Sequence, residues 1–142
     1  MIDLRPVGYV IGLMVAILGL AMLAPMVLAF AGGEETGGSY LFGASTCVLL
    51  GAGAYAASMG KRYPSGFRGA LSVILVWWAL VPAFAALPIM SEGLSFADAY
   101  FEAVSALTTT GAWLSYEGAI ASPAGALWRA ELQWLGGLAT LA

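Results

Sequence analysis

Three threonines and a glycine, Thr108-Thr109-Thr110-Gly111, form a polar run suited to binding a cation. β-branched residues are poor helix formers, and glycine admits backbone angles that others resist. Upstream, Ser95 and Asp98 have the spacing of a capping box, which predicts a helix start. About twelve residues, or roughly 18 Å of helix, would then precede the threonines, about half the membrane core. The stretch Ser95 to Gly111 lies between two strongly apolar segments, yet it is too short and too polar to cross a bilayer. It reads as a re-entrant loop, a half-length helix ending in an irregular strand. Bare backbone at that depth is tolerated only where it is buried in protein or lines a watery path. A row of carbonyls there can replace the water around a cation. The preceding helix would aim its negative C-terminal end at the same place. That is the chemistry of a cation selectivity filter, with Thr108, Thr109, Thr110, Gly111 and Ala112 as candidate ligands. The alternative is a threonine-rich bend between two packed helices, with no ion.

The elements that must position this loop follow from the distribution of charge. Of 142 residues, 61% are hydrophobic and 9% charged, a membrane composition rather than that of a soluble domain. Uncharged runs of 28, 25 and 23 residues cover 6–33, 36–60 and 69–91, each long enough to span as a helix. A fourth apolar run, 132–142, has 11 residues and reads as a spanning helix cut short. The expected fold is therefore an all-α integral membrane protein. Helices are expected at about 7–30, 40–59 and 69–90, then the half-helix and loop, then a return over Leu114 to Ala124. A last helix should begin near Ala124 or Gly125. Ala29-Phe30-Ala31 resembles a signal-peptidase site, but the apolar run before it is longer than the usual signal core.

The second helix is rich in glycine and alanine, which favours close packing, and Cys47 reads as part of that packing. Gly8, Gly12 and Ala16 give the first helix the same small-residue spacing. Histidine is absent and Cys47 is the single cysteine, which excludes an intrachain disulfide, a His- or Cys-rich metal site and Ser-His-Asp or Cys-His catalysis within this chain. The expectation is a non-enzyme without a cofactor. Lys61, Arg62 and Arg68 share one short stretch, which by the positive-inside tendency places it, and Arg5 with it, in the cytoplasm. Seven of the eight acids then lie toward the outside.

Among the acids, Asp98 reads as a helix-start residue favoured by the dipole, or as a group that attracts cations. Glu102 would sit one turn further along. An ionisable residue within the membrane is a functional candidate by default. Either it braces the loop from behind by accepting backbone N–H bonds, or it stands in an outer vestibule. Arg129 either pairs with an acid of the loop or forms an exposed interfacial pair. Gly136 and Gly137 read as sites of close packing near the loop.

Asp98-Ala99-Tyr100-Phe101-Glu102-Ala103-Val104-Ser105-Ala106-Leu107-Thr108-Thr109-Thr110-Gly111-Ala112 resembles the first pore loop of the TrkH/TrkG/KtrB potassium-uptake family. Arg129-Ala130-Glu131-Leu132-Gln133-Trp134-Leu135-Gly136-Gly137 resembles the start of the helix after it. The resemblance implies a chain with four helix–pore-loop–helix repeats around one pore, often preceded by two extra helices. On that plan 1–60 is the leading helix pair and 69–142 the first repeat, incomplete at its end, with repeats two to four absent. It implies K⁺ as the transported ion, held through Thr109, Thr110 and Gly111, with Asp98, Glu102 and Arg129 in support. It further implies a homodimer in a bacterial inner membrane, surrounded by lipid, with a cytoplasmic TrkA/KtrA-type nucleotide-binding ring as regulator and no nucleic-acid partner. Plant relatives with serine at the first-loop glycine favour sodium, so the resemblance also ties Gly111 to potassium preference. The competing expectation is a truncated membrane scaffold or assembly polypeptide without an ion path.

Overall fold

The computed structural model describes residues 5–60, 67–114 and 122–139. Six α-helices run in the order α1 (Arg5–Ala21), α2 (Leu23–Gly32), α3 (Gly37–Ala57), α4 (Phe67–Ile89), α5 (Phe96–Leu107) and α6 (Pro123–Ala139), with a 3₁₀ turn at Met90–Glu92 between α4 and α5. No strand occurs among the described residues. Three stretches, Val7–Gly32, Gly37–Ala57 and Gly69–Glu92, are long and apolar enough to cross a membrane. The protein is an all-α integral membrane protein. The expected helix boundaries hold to within a few residues. The basic stretch that sets the expected orientation lies largely at 61–66, outside the described residues, as does most of the expected return, at 115–121.

The first span is not the single helix expected over 7–30. It breaks at Met22, three residues before Pro25. Proline has no N–H to give the carbonyl four residues back, here that of Ala21, so the ladder loosens at this point. The second piece, α2, ends on Gly33 in the left-handed region (φ +68°), and the Glu34 N–H returns to the Ala29 carbonyl at 2.9 Å. This is a Schellman-type stop, and it turns the chain sharply into α3.

α1 and α3 lie against each other along most of their length because their facing residues have almost no side chain. A Cβ built on Gly12 would meet the Tyr55 backbone nitrogen at 2.6 Å and the Gly51 carbonyl at 2.8 Å. One built on Gly51 would meet the Ala16 nitrogen at 2.5 Å. Cys47 is a buried free thiol on the same face, with its Cβ in the space beside Gly19. With lipid outside, this contact is dispersion between closely approached backbones.

α4 carries Pro82 and Pro88 within the helix. Pro82 leaves the Trp78 carbonyl without its ordinary helical donor. The Tyr100 hydroxyl of α5 lies 3.5 Å from that oxygen and donates to the neighbouring Ala79 carbonyl at 3.2 Å. Near Pro88, the indole N–H of Trp128 on α6 donates to the Ala85 carbonyl at 3.0 Å. Side chains from the next two helices thus meet carbonyls in the proline-loosened stretch, which is how a broken helix is tolerated in lipid. These two bonds also fix where α5 and α6 dock on α4.

The leading helices are tied to α6 at one end. Ala124 N–H donates to Glu34 Oε1 at 3.3 Å, and the Ser122 hydroxyl accepts from Gly125 N–H at 3.0 Å. Both are amides of the first turn of α6, which has no intrahelical partner for them. Beside them the rings of Tyr40 and Trp128 meet edge to face at 6.4 Å.

Candidate functional site

α5 begins as the sequence requires. Ser95 is extended (ψ 158°), its hydroxyl oxygen accepts the Asp98 N–H at 3.2 Å, and its hydroxyl donates to Asp98 Oδ2 at 2.7 Å. Asp98 is the acid of the first turn, where the helix dipole favours a negative charge. The helix runs 12 residues and stops at Leu107. Glu102, Ser105, Ala106 and Leu107 are buried, whereas Thr108 through Ala112 are exposed in this chain.

What stops the helix is a set of bonds converging on one residue. Thr110 N–H and Gly111 N–H both donate to the Ser105 carbonyl, at 2.9 and 3.3 Å. The Ser105 hydroxyl donates to the Ala112 carbonyl at 2.9 Å. Thr108 bends its hydroxyl back to the Val104 carbonyl at 2.9 Å and lies 2.7 Å from the Thr110 hydroxyl. Two residues of the loop take the left-handed conformation, Gly111 (φ +69°) and Thr109 (φ +56°). For a β-branched residue that is a true outlier, and it costs on the order of 1–3 kcal/mol that the surrounding bonds must offset.

These bonds fix the direction of the carbonyls. In a trans peptide the N–H and the C=O of one plane point opposite ways. The amides of Thr110 and Gly111 point inward at Ser105, so the carbonyls of Thr109 and Thr110 point away from α5. Among the described residues, the carbonyls of Thr108, Thr109, Thr110 and Gly111 accept no hydrogen bond. Ala112 is the opposite case. Its carbonyl is turned back to Ser105, so it anchors the loop instead of joining the outward row.

Behind the loop lies a buried ion-pair group. Arg129 of α6 donates through Nε to Glu102 Oε2 at 2.8 Å and through Nη2 to the same oxygen at 2.5 Å. It also donates to both carboxylate oxygens of Glu92, at 3.2 and 2.7 Å. The side chains of Arg129 and Glu102 are 7% and 3% exposed. The Trp113 ring covers the guanidinium at 4.9 Å, a cation–π contact. Arg129 pairs with an acid of the loop's helix, and Glu102 is buried against Arg129, where the guanidinium donates to its carboxylate in place of the backbone N–H groups expected. Neither Glu92 nor Trp113 was anticipated as a partner. The available signal was general: an arginine inside an apolar helix must find an acid, and Glu92 ends the neighbouring apolar run.

Two glycines of α6 let these groups approach. A Cβ on Gly136 would collide with the Leu107 carbonyl, and a Cβ on Gly125 would collide with Glu92 Oε1. Close packing at Gly136 was expected from the sequence. A Cβ built on Gly137 would meet a Thr109 methyl at an ordinary 4.0 Å, so this position does not require glycine for space. A cavity of about 30 Å³ remains between Glu102, Ser105, Gly111, Trp113 and Arg129, enough for about one water.

No family model matches the chain. The Trk system potassium uptake protein TrkH of Halomonas elongata is 29% identical over 139 residues, covering 96% of this chain and 29% of that protein. TrkG of Escherichia coli is 29% identical over 140 residues, with the same coverage. The crystal structure of the potassium transporter TrkH from Vibrio parahaemolyticus superposes with a TM-score of 0.87 at 26% identity, over 97% of this chain and 30% of that one. The chain is similar to Trk potassium uptake proteins over nearly its whole length. It spans about three-tenths of the length of these Trk relatives. The relatives it matches are named as potassium uptake proteins.

Proposed function

We propose that this Trk-type chain supplies one filter segment of a potassium path, with K⁺ as the cargo and no cofactor. The observation that carries this reading is the loop after α5, where the Thr109 and Thr110 carbonyls turn away from the protein and Gly111 holds a positive φ. Unpaired carbonyls on a half-length membrane helix are the means by which a filter replaces a cation's hydration shell. In this reading Thr109, Thr110 and Gly111 are the ligands, Thr108 adds a carbonyl at the inner end, and Ala112 is the anchor. Glu102 and Arg129 hold α5 and α6 together behind them. Asp98 favours the start of α5 and adds negative charge at the outer mouth.

One segment of this kind does not enclose an ion, so the path requires further segments like it. Residues 1–60 are read as the leading helix pair and 69–142 as the first helix–pore-loop–helix repeat. Within that reading the protein sits in the inner membrane with its N-terminus in the cytoplasm, and a homodimer with a nucleotide-binding regulatory ring is the assembly.

The test is Gly111→Ser in the complete gene, expressed in a host without its own potassium uptake. Among the described residues, its chain neighbours aside, no heavy atom lies within 4 Å of the position a Cβ would take at Gly111. Within this chain the substitution therefore acts through its φ, which an L side chain rarely adopts. A distorted ring of carbonyls should hurt the larger ion more. Rb⁺ uptake should fall and Na⁺ uptake should rise relative to it, at matched abundance. Unchanged uptake of both ions would remove Gly111 from the filter.

A further inference from the structure

Ser105 is a poor choice for the interior of a helix. Serine there usually bonds the carbonyl one turn back, which gains nothing and bends the helix. Here its hydroxyl reaches seven residues forward to the Ala112 carbonyl, while its own carbonyl collects the amides of Thr110 and Gly111. Ser105 is 5% exposed. Three consecutive loop residues are thus bonded to one buried serine, two through its backbone and one through its side chain.

The two kinds of bond do different things. Any residue at 105 can offer the carbonyl, so the inward turn of the Thr110 and Gly111 amides does not depend on the side chain. Among the described residues, the Ala112 carbonyl is held by the hydroxyl alone. That carbonyl fixes the peptide after Ala112 and closes the loop on the side of Gly111. The small cavity beside Ser105 leaves room for the Gly111–Ala112 backbone to rotate if the hydroxyl is removed.

We infer that Ser105 is a specificity-determining positioning residue: its hydroxyl, by holding the Ala112 carbonyl, sets the orientation of the Gly111 carbonyl and so the discrimination between K⁺ and smaller cations. This rests on the filter reading above. A net hydrogen bond of ordinary strength corresponds to about a two- to tenfold change in an equilibrium ratio. That sets the scale of the expected effect.

The measurement is paired Rb⁺ and Na⁺ uptake by the complete gene, at matched membrane abundance, in the potassium-uptake-deficient host. Ser105→Ala should lower the Rb⁺/Na⁺ uptake ratio about three- to tenfold. Ser105→Thr keeps the hydroxyl and should stay within about twofold of wild type. Ser105→Cys, nearly isosteric with a weak donor, should fall between them. Equal loss of both ions in Ser105→Ala, or an unchanged ratio, overturns the inference, because a purely structural serine would act on abundance or on both ions alike. If the alanine variant does not accumulate, a wild-type ratio in Ser105→Cys overturns it. If the wild-type gene moves no Rb⁺ while accumulating in the membrane, the filter reading itself fails, a result distinguishable from the others.

Discussion

The contact between α1 and α3 and the contact between α5 and α6 join helices equally closely by opposite means. Along α1 and α3, Gly12, Gly19 and Gly51 remove side chains so that backbones touch, and the Tyr9 and Tyr55 hydroxyls meet on that seam at 3.3 Å. Between α5 and α6, Gly136 brings the backbones together, but Arg129 and Glu102 bury charge beside it. The first contact is set by shape, since backbone meets backbone only where glycine stands. The second is set by direction as well, because a guanidinium shared by two carboxylates has a fixed geometry. The directional contact lies behind the loop, and the shape-only contact lies between the leading helices.

The largest effect should come from breaking the directional contact. Arg129→Met leaves two carboxylates buried without a partner and should cost about 3–5 kcal/mol, read as loss of membrane abundance and a lower melting temperature of the purified protein. Exchanging the whole group for apolar residues, with Glu92→Leu and Glu102→Met added, should cost less than Arg129→Met alone. If the triple variant is the worse of the two, the pair contributes stability and not merely register. Gly51→Ala tests the other contact. Its Cβ would press on the Ala16 nitrogen and the Gly12 carbonyl, backbone atoms that cannot turn aside. A loss of about 1–3 kcal/mol is expected. The Rb⁺/Na⁺ ratio of the surviving protein should not change, and a changed ratio would couple the two regions. Tyr9→Phe should be the mildest, with a cost below about 1 kcal/mol in the same melting experiment.

The sequence carried the local features well and the distant ones poorly. Ser95 and Asp98 mark the start of α5 because a cap is made within three residues. The stop at Leu107 is legible in three β-branched residues and a glycine. Pro82 and Pro88 announce an interrupted α4, but the groups that answer them, Tyr100 and Trp128, lie 21 and 43 residues away in their hydrogen bonds. The same holds for Arg129, whose partners Glu102 and Glu92 are 27 and 37 residues away. Periodicity cannot report such pairs. Pro25 was readable, and its position in the middle of a long apolar run hid it. The inward turn of the Ala112 carbonyl had no sequence signal, because every residue has a carbonyl and only the fold decides which way it faces.

The trio behind the loop has one further consequence. Counting formal charges, Glu92, Glu102 and Arg129 sum to one negative charge, and they are shielded from water. A unit charge ten ångströms from an ion, at an effective dielectric of about 20, is worth roughly 1.7 kcal/mol. Salt screens such partly buried charges less than it screens surface ones. The trio therefore adds a negative contribution at the loop in front that does not depend on how its carbonyls are aimed. Under the filter reading proposed above, valence and size would be handled by separate parts: the ion-paired trio would disfavour anions, and the backbone in front would sort among the cations that remain.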